Sequence, residues 1–205
     1  MKIVEIINGL QKRGGAEVFL ASLSTQLQAN PDCKVFVISL FGGVDESFKM
    51  SLNEKGVVLL TCNKKQGIDF KAARTFKRMI LDINPDIIHF HLSCLPVYYL
   101  AFGLRKRKWL VFETFHSIPG ANVGKLKTLL RKTYIKKGLL TFIGISNEIT
   151  IMAKKLYPEI NCFTISNGVS LNETPKLKAD KKYDFIIVAS LIDVKNHSLL
   201  FEAMK

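Results

Sequence analysis

The fold can be predicted from one stretch near the N-terminus, Lys2-Ile3-Val4-Glu5-Ile6-Ile7-Asn8-Gly9-Leu10-Gln11-Lys12-Arg13-Gly14-Gly15-Ala16-Glu17. Its first half is a mostly apolar, β-branched run, as expected of a parallel strand covered by helices on both faces. After the glycine pair the apolar residues change to helical spacing. These helical positions are Ala16, Phe19, Leu20, Leu23 and Leu27. The stretch therefore predicts a strand, a glycine-containing loop and a helix, which is the unit of an open α/β sheet.

Further apolar runs repeat this unit along the chain. The predicted strands are Lys2 to Asn8, Val35 to Leu40, Val57 to Leu60, Ile87 to His91, Leu110 to Thr114, Leu140 to Ile145 and Cys162 to Ile165. One intervening helix is predicted to be capped by Asp69 and to end before Pro85. Its inward residues are Ala73, Phe76, Ile80 and Ile83. Strands alternating with helices imply right-handed crossovers, so the sequence predicts an α/β fold with a doubly wound, Rossmann-like parallel sheet.

The composition changes after residue 165. Residues 166–182 are polar, rich in Lys and Asn, and have neither helical nor strand spacing, which predicts a linker. A new apolar run, Tyr183 to Ala189, predicts another strand, and a short helix follows it up to Lys205. One strand and one helix cannot form a core alone. We therefore expect domains at 1–165 and 183–205, with the second only begun and its remainder missing, in cis or in trans.

The composition limits the kinds of partner and compartment. The chain has 30 Lys and Arg against 17 Asp and Glu, which leaves nucleic acid, anionic lipid and phosphorylated substrates as possible partners. We find no secretory signal and no apolar run near the roughly 20 residues that span a bilayer. The four cysteines, Cys33, Cys62, Cys94 and Cys162, are scattered and form no C-x-x-C pair. They predict a reducing, cytoplasmic location without a zinc site or disulfide framework.

In an open α/β sheet, ligands bind beyond the carboxyl ends of the strands. Gly14 and Gly15 lie in the first such loop, where they would let the backbone approach a ligand at the start of the next helix. The loop lacks the dinucleotide-binding G-x-G-x-x-G pattern, which disfavours an NAD enzyme. An ordinary turn between strand and helix is the alternative interpretation.

Two later strand ends carry histidines. His89 and His91 alternate on one strand and so share a face of the sheet. They could hold a metal, but the sequence offers no third ligand and no Asp-x-Asp, so we expect no metal. We interpret His89 as structural and His91 as a candidate for substrate contact. His116 follows the next strand and can exchange a proton near neutral pH, although a loop histidine bonded to backbone is the alternative.

Basic residues form two clusters that suit an anionic membrane surface. The first is Arg105, Lys106, Arg107 and Lys108; the second is Lys125, Lys127, Arg131, Lys132, Lys136 and Lys137, on a helix whose other side is apolar. A solvated outer face is the alternative. We do not expect nucleic acid as a partner, because no recognisable nucleic-acid module is present.

An ordered series of motifs runs through almost the whole chain. It comprises Gly14-Gly15-Ala16-Glu17, Asp86-Ile87-Ile88-His89-Phe90-His91, Thr114-Phe115-His116, Gly144-Ile145-Ser146-Asn147, Ile165-Ser166-Asn167-Gly168-Val169 and Val188-Ala189-Ser190-Leu191-Ile192-Asp193-Val194-Lys195-Asn196. With these motifs the chain resembles the N-terminal part of family-4 glycosyltransferases of the two-domain GT-B fold.

The resemblance implies transfer of a sugar from a nucleotide sugar to a saccharide or lipid-linked acceptor in cell-surface polysaccharide synthesis. It implies retained anomeric configuration, with neither metal nor cofactor. His116 matches the family's active-site histidine and is the candidate catalytic residue. Residues implied to bind the donor are Gly14, Gly15, Ser190 and Lys195; residues implied to bind the acceptor are Glu17 and His91.

The chain departs from the family in two ways. Ser190 stands where the family usually has an arginine, and a hydroxyl replaces neither its charge nor its forked donors. The paired glutamates that hold the donor in the family lie in the part that is missing, so we expect this chain to be inactive by itself. Two alternatives remain: a non-catalytic subunit of a split transferase, and a membrane-surface anion-binding module.

Overall fold

A computed structural model describes residues 1–11, 14–67, 69–92, 109–117, 131–133, 135–138, 140–168 and 184–204. The chain divides into two compact units, Met1–Val169 and Ser170–Lys205.

The first unit alternates strands and helices along most of its length. Its strands are β1 (Lys2–Ile7), β2 (Lys34–Ser39), β3 (Val58–Thr61), β4 (Ile87–His91), β5 (Leu110–Phe115), β6 (Thr141–Gly144) and β7 (Cys162–Thr164). Its helices are α1 (Gly15–Gln28), α2 (Glu46–Glu54), α3 (Phe70–Ile83) and α4 (Asn147–Leu156). All the strands predicted for this unit are present, and no strand end differs from the prediction by more than one residue.

The strands form one parallel sheet in the order β3-β2-β1-β4-β5-β6-β7. The prediction of a doubly wound parallel sheet is therefore confirmed. The chain winds from β1 outward to β3 and then returns to place β4 on the other side of β1. This reversal puts the carboxyl ends of β1 and β4 at the topological switch point, where ligands of such sheets bind.

Two apolar clusters cover the two faces of the sheet. Val4 and Ile6 pack with α3 on one face, whereas Ile3 and Ile7 pack with α1 and α2 on the other. Successive strand residues point to opposite faces, so the face of each residue follows from its position in the strand. Glu5 lies between Val4 and Ile6 and therefore belongs to the face that α1 covers.

Side-chain caps and turns set the helix ends. Asp69 accepts a hydrogen bond from the Ala72 amide at 2.9 Å at the start of α3, which confirms the predicted cap. The helix ends at Asn84, which adopts the left-handed conformation (φ 46°) before Pro85. Ser146 caps α4 in the same way, through the Ile149 amide.

The cysteines that the structure describes, Cys33, Cys62 and Cys162, are buried and free; Cys94 lies outside the described residues. Burial raises the pKa of the Cys62 thiol to about 12, so this thiol stays protonated and packs as an apolar group.

In the second unit, the strand predicted at Tyr183 to Ala189 is wrong over the described residues. Residues 184–190 form no strand, and their apolar side chains are exposed; Ile186 is 86% exposed and Val188 89%. The physical reason is that a strand exists only where a neighbour accepts and donates its backbone hydrogen bonds. A short 3-10 helix at Asp193–Lys195 and helix α5 (His197–Ala203) follow. Within the part of the chain that the structure describes, no helix is both long and apolar enough to cross a membrane.

Candidate functional site

The candidate site lies where β1, β4 and β5 end side by side. Asn8 follows β1 and donates from Nδ2 to the Leu92 carbonyl at 3.3 Å, which ties together the loops after β1 and β4. His116 follows β5, the neighbour of β4 in the sheet. The predicted candidates Gly15, His91 and His116 thus all lie on the side of the sheet where the strands have their carboxyl ends.

The two glycines of the first loop have different surroundings. Gly14 is the N-cap of α1, and a Cβ there would strike the Glu17 carboxylate. A Cβ on Gly15 would meet nothing within 4 Å. Neither glycine has a positive φ, so neither is required by backbone strain. The open space beside Gly15 leaves the start of α1 accessible to a ligand.

Phe19 connects this helix to the histidines. It lies on α1, one turn beyond Gly15, and its ring centroid is 5.3 Å from that of His116 and 6.1 Å from that of His91. The start of α1 and the ends of β4 and β5 therefore border a common site.

Glu5 forms the buried centre of the site. Its Oε2 atom lies 2.7 Å from Nε2 of His91 and 2.9 Å from Nδ1 of His89. Glu5 and His91 are almost fully buried. The hydroxyl of Thr114 lies 2.7 Å from Nε2 of His89, on the far side of that ring. One carboxylate oxygen thus accepts from two imidazole rings, and Thr114 holds one of them in place.

The hydrogen bonds continue from His91 to His116. Nδ1 of His91 lies 2.9 Å from Nε2 of His116. The second nitrogen of His116, Nδ1, is buried and has no hydrogen-bond partner among the residues that the structure describes. An unpaired buried acceptor costs about 1–3 kcal/mol, so a donor that reached this atom would be stabilised there.

The pKa shifts keep this chain of groups in one charge state at neutral pH. Burial tends to raise the pKa of Glu5, but its charge interactions and hydrogen bonds with His89 and His91 prevail and lower it to about 2. Burial lowers the pKa of His91, against the effect of its bond to Glu5. Burial and the neighbouring rings of His91 and His89 lower the pKa of His116 to about 4. Glu5 is therefore ionised and His116 neutral near pH 7.

Glu5 was not predicted to belong to the site, and the sequence offered no third ligand beside the two histidines. In the structure Glu5, His89 and His91 lie together. Their candidate donor atoms lie within 4.8 Å of one another. The oxygen–nitrogen distances of 2.7 and 2.9 Å are those of hydrogen bonds. Donors on a tetrahedral zinc ion would stand about 3.3 Å apart, given bonds of about 2.0–2.1 Å. We therefore describe the cluster as a hydrogen-bonded network.

Arg131 is a correction to the predicted membrane-facing cluster. Its side chain is 3% exposed, and its Nη2 atom donates to Oε1 of Glu113 at 2.6 Å. Its guanidinium also lies over the Phe115 ring at 5.2 Å. Arg131 points inward because the buried carboxylate of Glu113 requires a cation. The neighbouring Lys132 is exposed. The other candidates, Arg105, Lys106, Arg107, Lys108, Lys125 and Lys127, lie outside the described residues.

The second unit contains the remaining predicted site residues. Lys195 ends the 3-10 helix and is exposed. Nε2 of His197 lies 3.0 Å from the carbonyl oxygen of Ser190, so the ring N–H donates to that carbonyl and ties Ser190 to the start of α5. Ser190 itself is exposed.

Comparison with known proteins gives one family and a set of similar folds. The model of Glycosyltransferase Family 4 matches residues 13–173. No curated protein sequence matches the chain at a significant level.

Among solved structures, a glycosyltransferase from Rickettsia africae has a TM-score of 0.61 at 16% identity, over 82% of this chain and 43% of its own. The lipopolysaccharide outer core galactosyltransferase WaaB has a TM-score of 0.63 at 17% identity, over 88% and 50%. HepE from Anabaena, solved in complex with UDP and glucose, has a TM-score of 0.60 at 17% identity, over 82% and 45%. These likenesses show a shared fold, and this chain spans about half the length of the structures it matches.

Proposed function

The chain belongs to glycosyltransferase family 4, and from this premise we propose that it is the acceptor-binding half of a sugar transferase. The reaction would move a hexose from a nucleotide sugar to a saccharide or lipid-linked acceptor. The observation that supports this most is that Gly15, Phe19 and His116 border one site at the switch point of the sheet. A site at this position is where a sheet of this kind binds its ligand.

Two of the matched structures agree with this proposal. One of them is named as a galactosyltransferase, and another is in complex with UDP and glucose. We extend from them to this chain a nucleotide sugar as donor and a sugar at the crevice. Because this chain spans about half of those structures, we propose that the rest of the donor site lies in a second domain, and that the chain by itself is inactive.

The proposed reaction retains the anomeric configuration and uses no metal or other cofactor. The bond between the anomeric carbon and the diphosphate oxygen breaks, and the acceptor hydroxyl oxygen replaces that oxygen. The hydroxyl proton leaves with the diphosphate. His116, neutral at pH 7, contacts a hydroxyl of the reacting sugar and orients it. Gly15 leaves room for the ligand at the start of α1, and Glu17 contacts the acceptor. His91, which is fully buried, acts on the acceptor through His116.

Lys195 would neutralise the charge that grows on the leaving diphosphate. Its exposed ammonium can reach a ligand. Ser190 supplies only a hydroxyl at the position where the family usually has arginine. We therefore propose that Lys195 provides the main cationic contact to the donor in this unit.

We also propose that the protein works in the cytoplasm at the inner face of a membrane during cell-surface polysaccharide synthesis. The support is the net charge of +13 and the exposed lysines Lys132, Lys136 and Lys137 at one end of a helical segment. Replacing these three lysines by glutamine should lower binding to vesicles that contain phosphatidylserine. Glutamines at Lys55, Lys154 and Lys155, which are also exposed, remove the same charge and are the matched control. Unchanged binding in the first variant would contradict membrane docking.

The transferase proposal is tested by sugar transfer. Labelled nucleotide sugars are offered together with saccharide and lipid-linked acceptors, first to this chain alone and then with a second polypeptide that supplies a donor domain. We expect transfer only in the second case, with a His116→Ala variant at least about tenfold slower. No transfer from any donor, with a donor domain present and bound, would contradict the proposal.

A split transferase is the second candidate, and the exposed apolar side chains of the second unit favour it. Phe185, Ile186, Val188 and Leu191 are all more than half exposed, which is unusual for a surface that nothing covers. Activity restored by a separately encoded chain would support the split form. Activity restored only when the donor domain is fused after residue 205 would contradict it.

A further inference from the structure

We propose that Glu5 and His91 are positioning residues that fix the tautomer of His116, so that its Nδ1 atom presents a lone pair to a hydroxyl of the bound sugar. The identity of the ligand rests on the transferase function proposed above. The tautomer itself is a property of the protein alone.

Glu5 accepts hydrogen bonds from two histidines through a single carboxylate oxygen. His89 and His91 approach the same oxygen of its carboxylate, at 2.9 and 2.7 Å. A carboxylate oxygen that carries a proton could donate to only one ring, whereas an ionised oxygen accepts from both. Both imidazoles therefore hold a proton on the nitrogen that faces Glu5. For His91 that nitrogen is Nε2.

His91 in turn fixes the proton position on His116. A neutral His91 with its proton on Nε2 has only a lone pair on Nδ1. That lone pair lies 2.9 Å from Nε2 of His116, so His116 must donate from Nε2. His116 is neutral at pH 7, and its remaining nitrogen, Nδ1, is left as an acceptor. The negative charge of Glu5 thus acts through His91 on His116. It determines which nitrogen of His116 can accept a hydrogen bond from a ligand.

The Nδ1 atom of His116 is the acceptor that a ligand would meet. Its Nδ1 atom is buried and has no partner among the described residues, while the ring as a whole is partly exposed. Phe19 packs edge-on against the ring at 5.3 Å and limits its rotation. A sugar hydroxyl that displaced the atoms covering Nδ1 would find an acceptor already oriented. An acceptor held in advance loses no energy in reorientation when the ligand binds.

His89 has a different part in the network. Its Nδ1–H donates to Glu5, and its Nε2 forms a hydrogen bond of 2.7 Å with the Thr114 hydroxyl, which can donate or accept. Glu5 is therefore also held by a second set of hydrogen bonds, through His89 to Thr114. Replacing Thr114 by valine should loosen His89 without changing the tautomer of His116.

Nitrogen-15 NMR of the imidazole rings tests the proposal directly, because the chain has only 4 histidines. In the wild-type protein at pH 7 we expect protons on Nε2 of His91 and His116 and on Nδ1 of His89. In Glu5→Gln, the new amide can donate to Nε2 of His91. The proton of His91 then moves to Nδ1, and that of His116 moves to its own Nδ1.

Glu113→Gln is the matched control, since it also removes a buried carboxylate but lies on the opposite face of the sheet. Its histidine tautomers should remain as in the wild type. If Glu5→Gln fails to fold, the wild-type spectrum still decides: a proton on Nδ1 of His116 overturns the proposal. Ring signals of His89 and His91 that move on treatment with a chelator would also overturn it, since a metal would then occupy the cluster.

The tautomer measurement separates this proposal from the transferase proposal. If the expected tautomers are found but no sugar is transferred, the positioning network stands and the transferase function fails. Where transfer is measurable, Glu5→Gln should lower kcat about tenfold or more with little change in the donor KM, as expected when an oriented group is misaligned. An unchanged kcat in a variant with the switched tautomer would contradict the role in catalysis.

Discussion

Glu5 stands in the middle of a strand whose other inner residues are apolar, and His89, His91 and Thr114 arrange themselves around it. Ionised carboxylates are rarely buried unless they are paired, because their desolvation costs several kcal/mol. The residues around Glu5 therefore have two functions at once. They stabilise the charge, and they determine how His116 is presented to the crevice.

The pH dependence of stability is the first consequence at this scale. The pKa of His116 falls from its ordinary 6.5 to about 4 in the folded protein. Between those pH values the unfolded chain binds a proton that the folded chain does not, so stability decreases as the pH falls from about 7 to 4. After allowance for partial exposure, His116 should account for about 1 kcal/mol of the loss between pH 7 and 5. Glu5 adds little between pH 7 and 5, because most of its contribution is lost only as the pH falls below about 4.5.

Urea unfolding at pH 7 and pH 5 measures this effect. His116→Gln should reduce the difference in unfolding free energy between the two pH values by about 1 kcal/mol. An equal or larger difference in the variant would show that His116 is protonated in the folded protein at pH 5.

Arg131 and Lys132 are neighbours whose substitution should affect stability to very different extents. Arg131→Met leaves Glu113 buried without its cation and should cost about 3–5 kcal/mol of unfolding free energy. Lys132→Met, at an exposed position, should stay within about 0.5 kcal/mol of the wild type. Chemical unfolding followed by circular dichroism gives both values. Equal effects of the two substitutions would contradict the inward placement of Arg131.

At the residue level the sequence located some of this site. The positions of His91, His116 and Gly15 at strand ends follow from the alternation of strands and helices. Glu5 was not predicted, although a lone carboxylate in an apolar strand indicates a buried charge that needs partners. Its partners could not be inferred, because His91 is 86 positions away along the chain and meets Glu5 only through the pairing of β1 with β4. Spacing on a helix likewise could not show that Arg131 has a buried partner.

At the scale of elements, Gly144 determines how closely α4 approaches β6. A Cβ at Gly144 would lie 3.0 Å from the Thr150 amide nitrogen and 3.2 Å from its Cα. Gly144→Ala should therefore push α4 away and cost about 1–3 kcal/mol. Gly15→Ala, with open space around its Cβ, should be neutral or up to about 1 kcal/mol stabilising, since alanine is the better helix former. Thermal unfolding of the two variants compares them, and equal destabilisation would contradict this account.

Element prediction succeeded where local signals were sufficient. The strands of the first unit and the Asp69 cap depend on apolar runs and on one side chain close to its own helix. The prediction of a strand at Tyr183 to Ala189 failed although the run is apolar, because no strand among the described residues pairs with residues 184–189. The spatial order of the strands is set by long-range pairing, which the spacing of one sequence does not reveal.

For the whole molecule, the sheet and both apolar clusters lie within residues 1–169. A chain ending at residue 169 should therefore keep a cooperative transition, with a midpoint within about 4 °C of the full chain. It should also bind less of a hydrophobic dye, because the exposed side chains of residues 184–204 are removed. Circular dichroism and dye fluorescence test this. A non-cooperative transition would mean that the second unit is required for the fold of the first.

The proposed function requires that a sugar binds at the carboxyl ends of β1, β4 and β5. The direct measurement is a titration of the nitrogen-15-labelled protein with nucleotide sugars and short saccharides, followed at Gly15, His91 and His116. We predict saturable shifts at these three residues with at least one ligand, largest at Nδ1 of His116, and weaker binding by the stably folded Gly15→Ala variant. Saturable shifts elsewhere, with His116 unmoved and Gly15→Ala binding as tightly as the wild type, would contradict the claim.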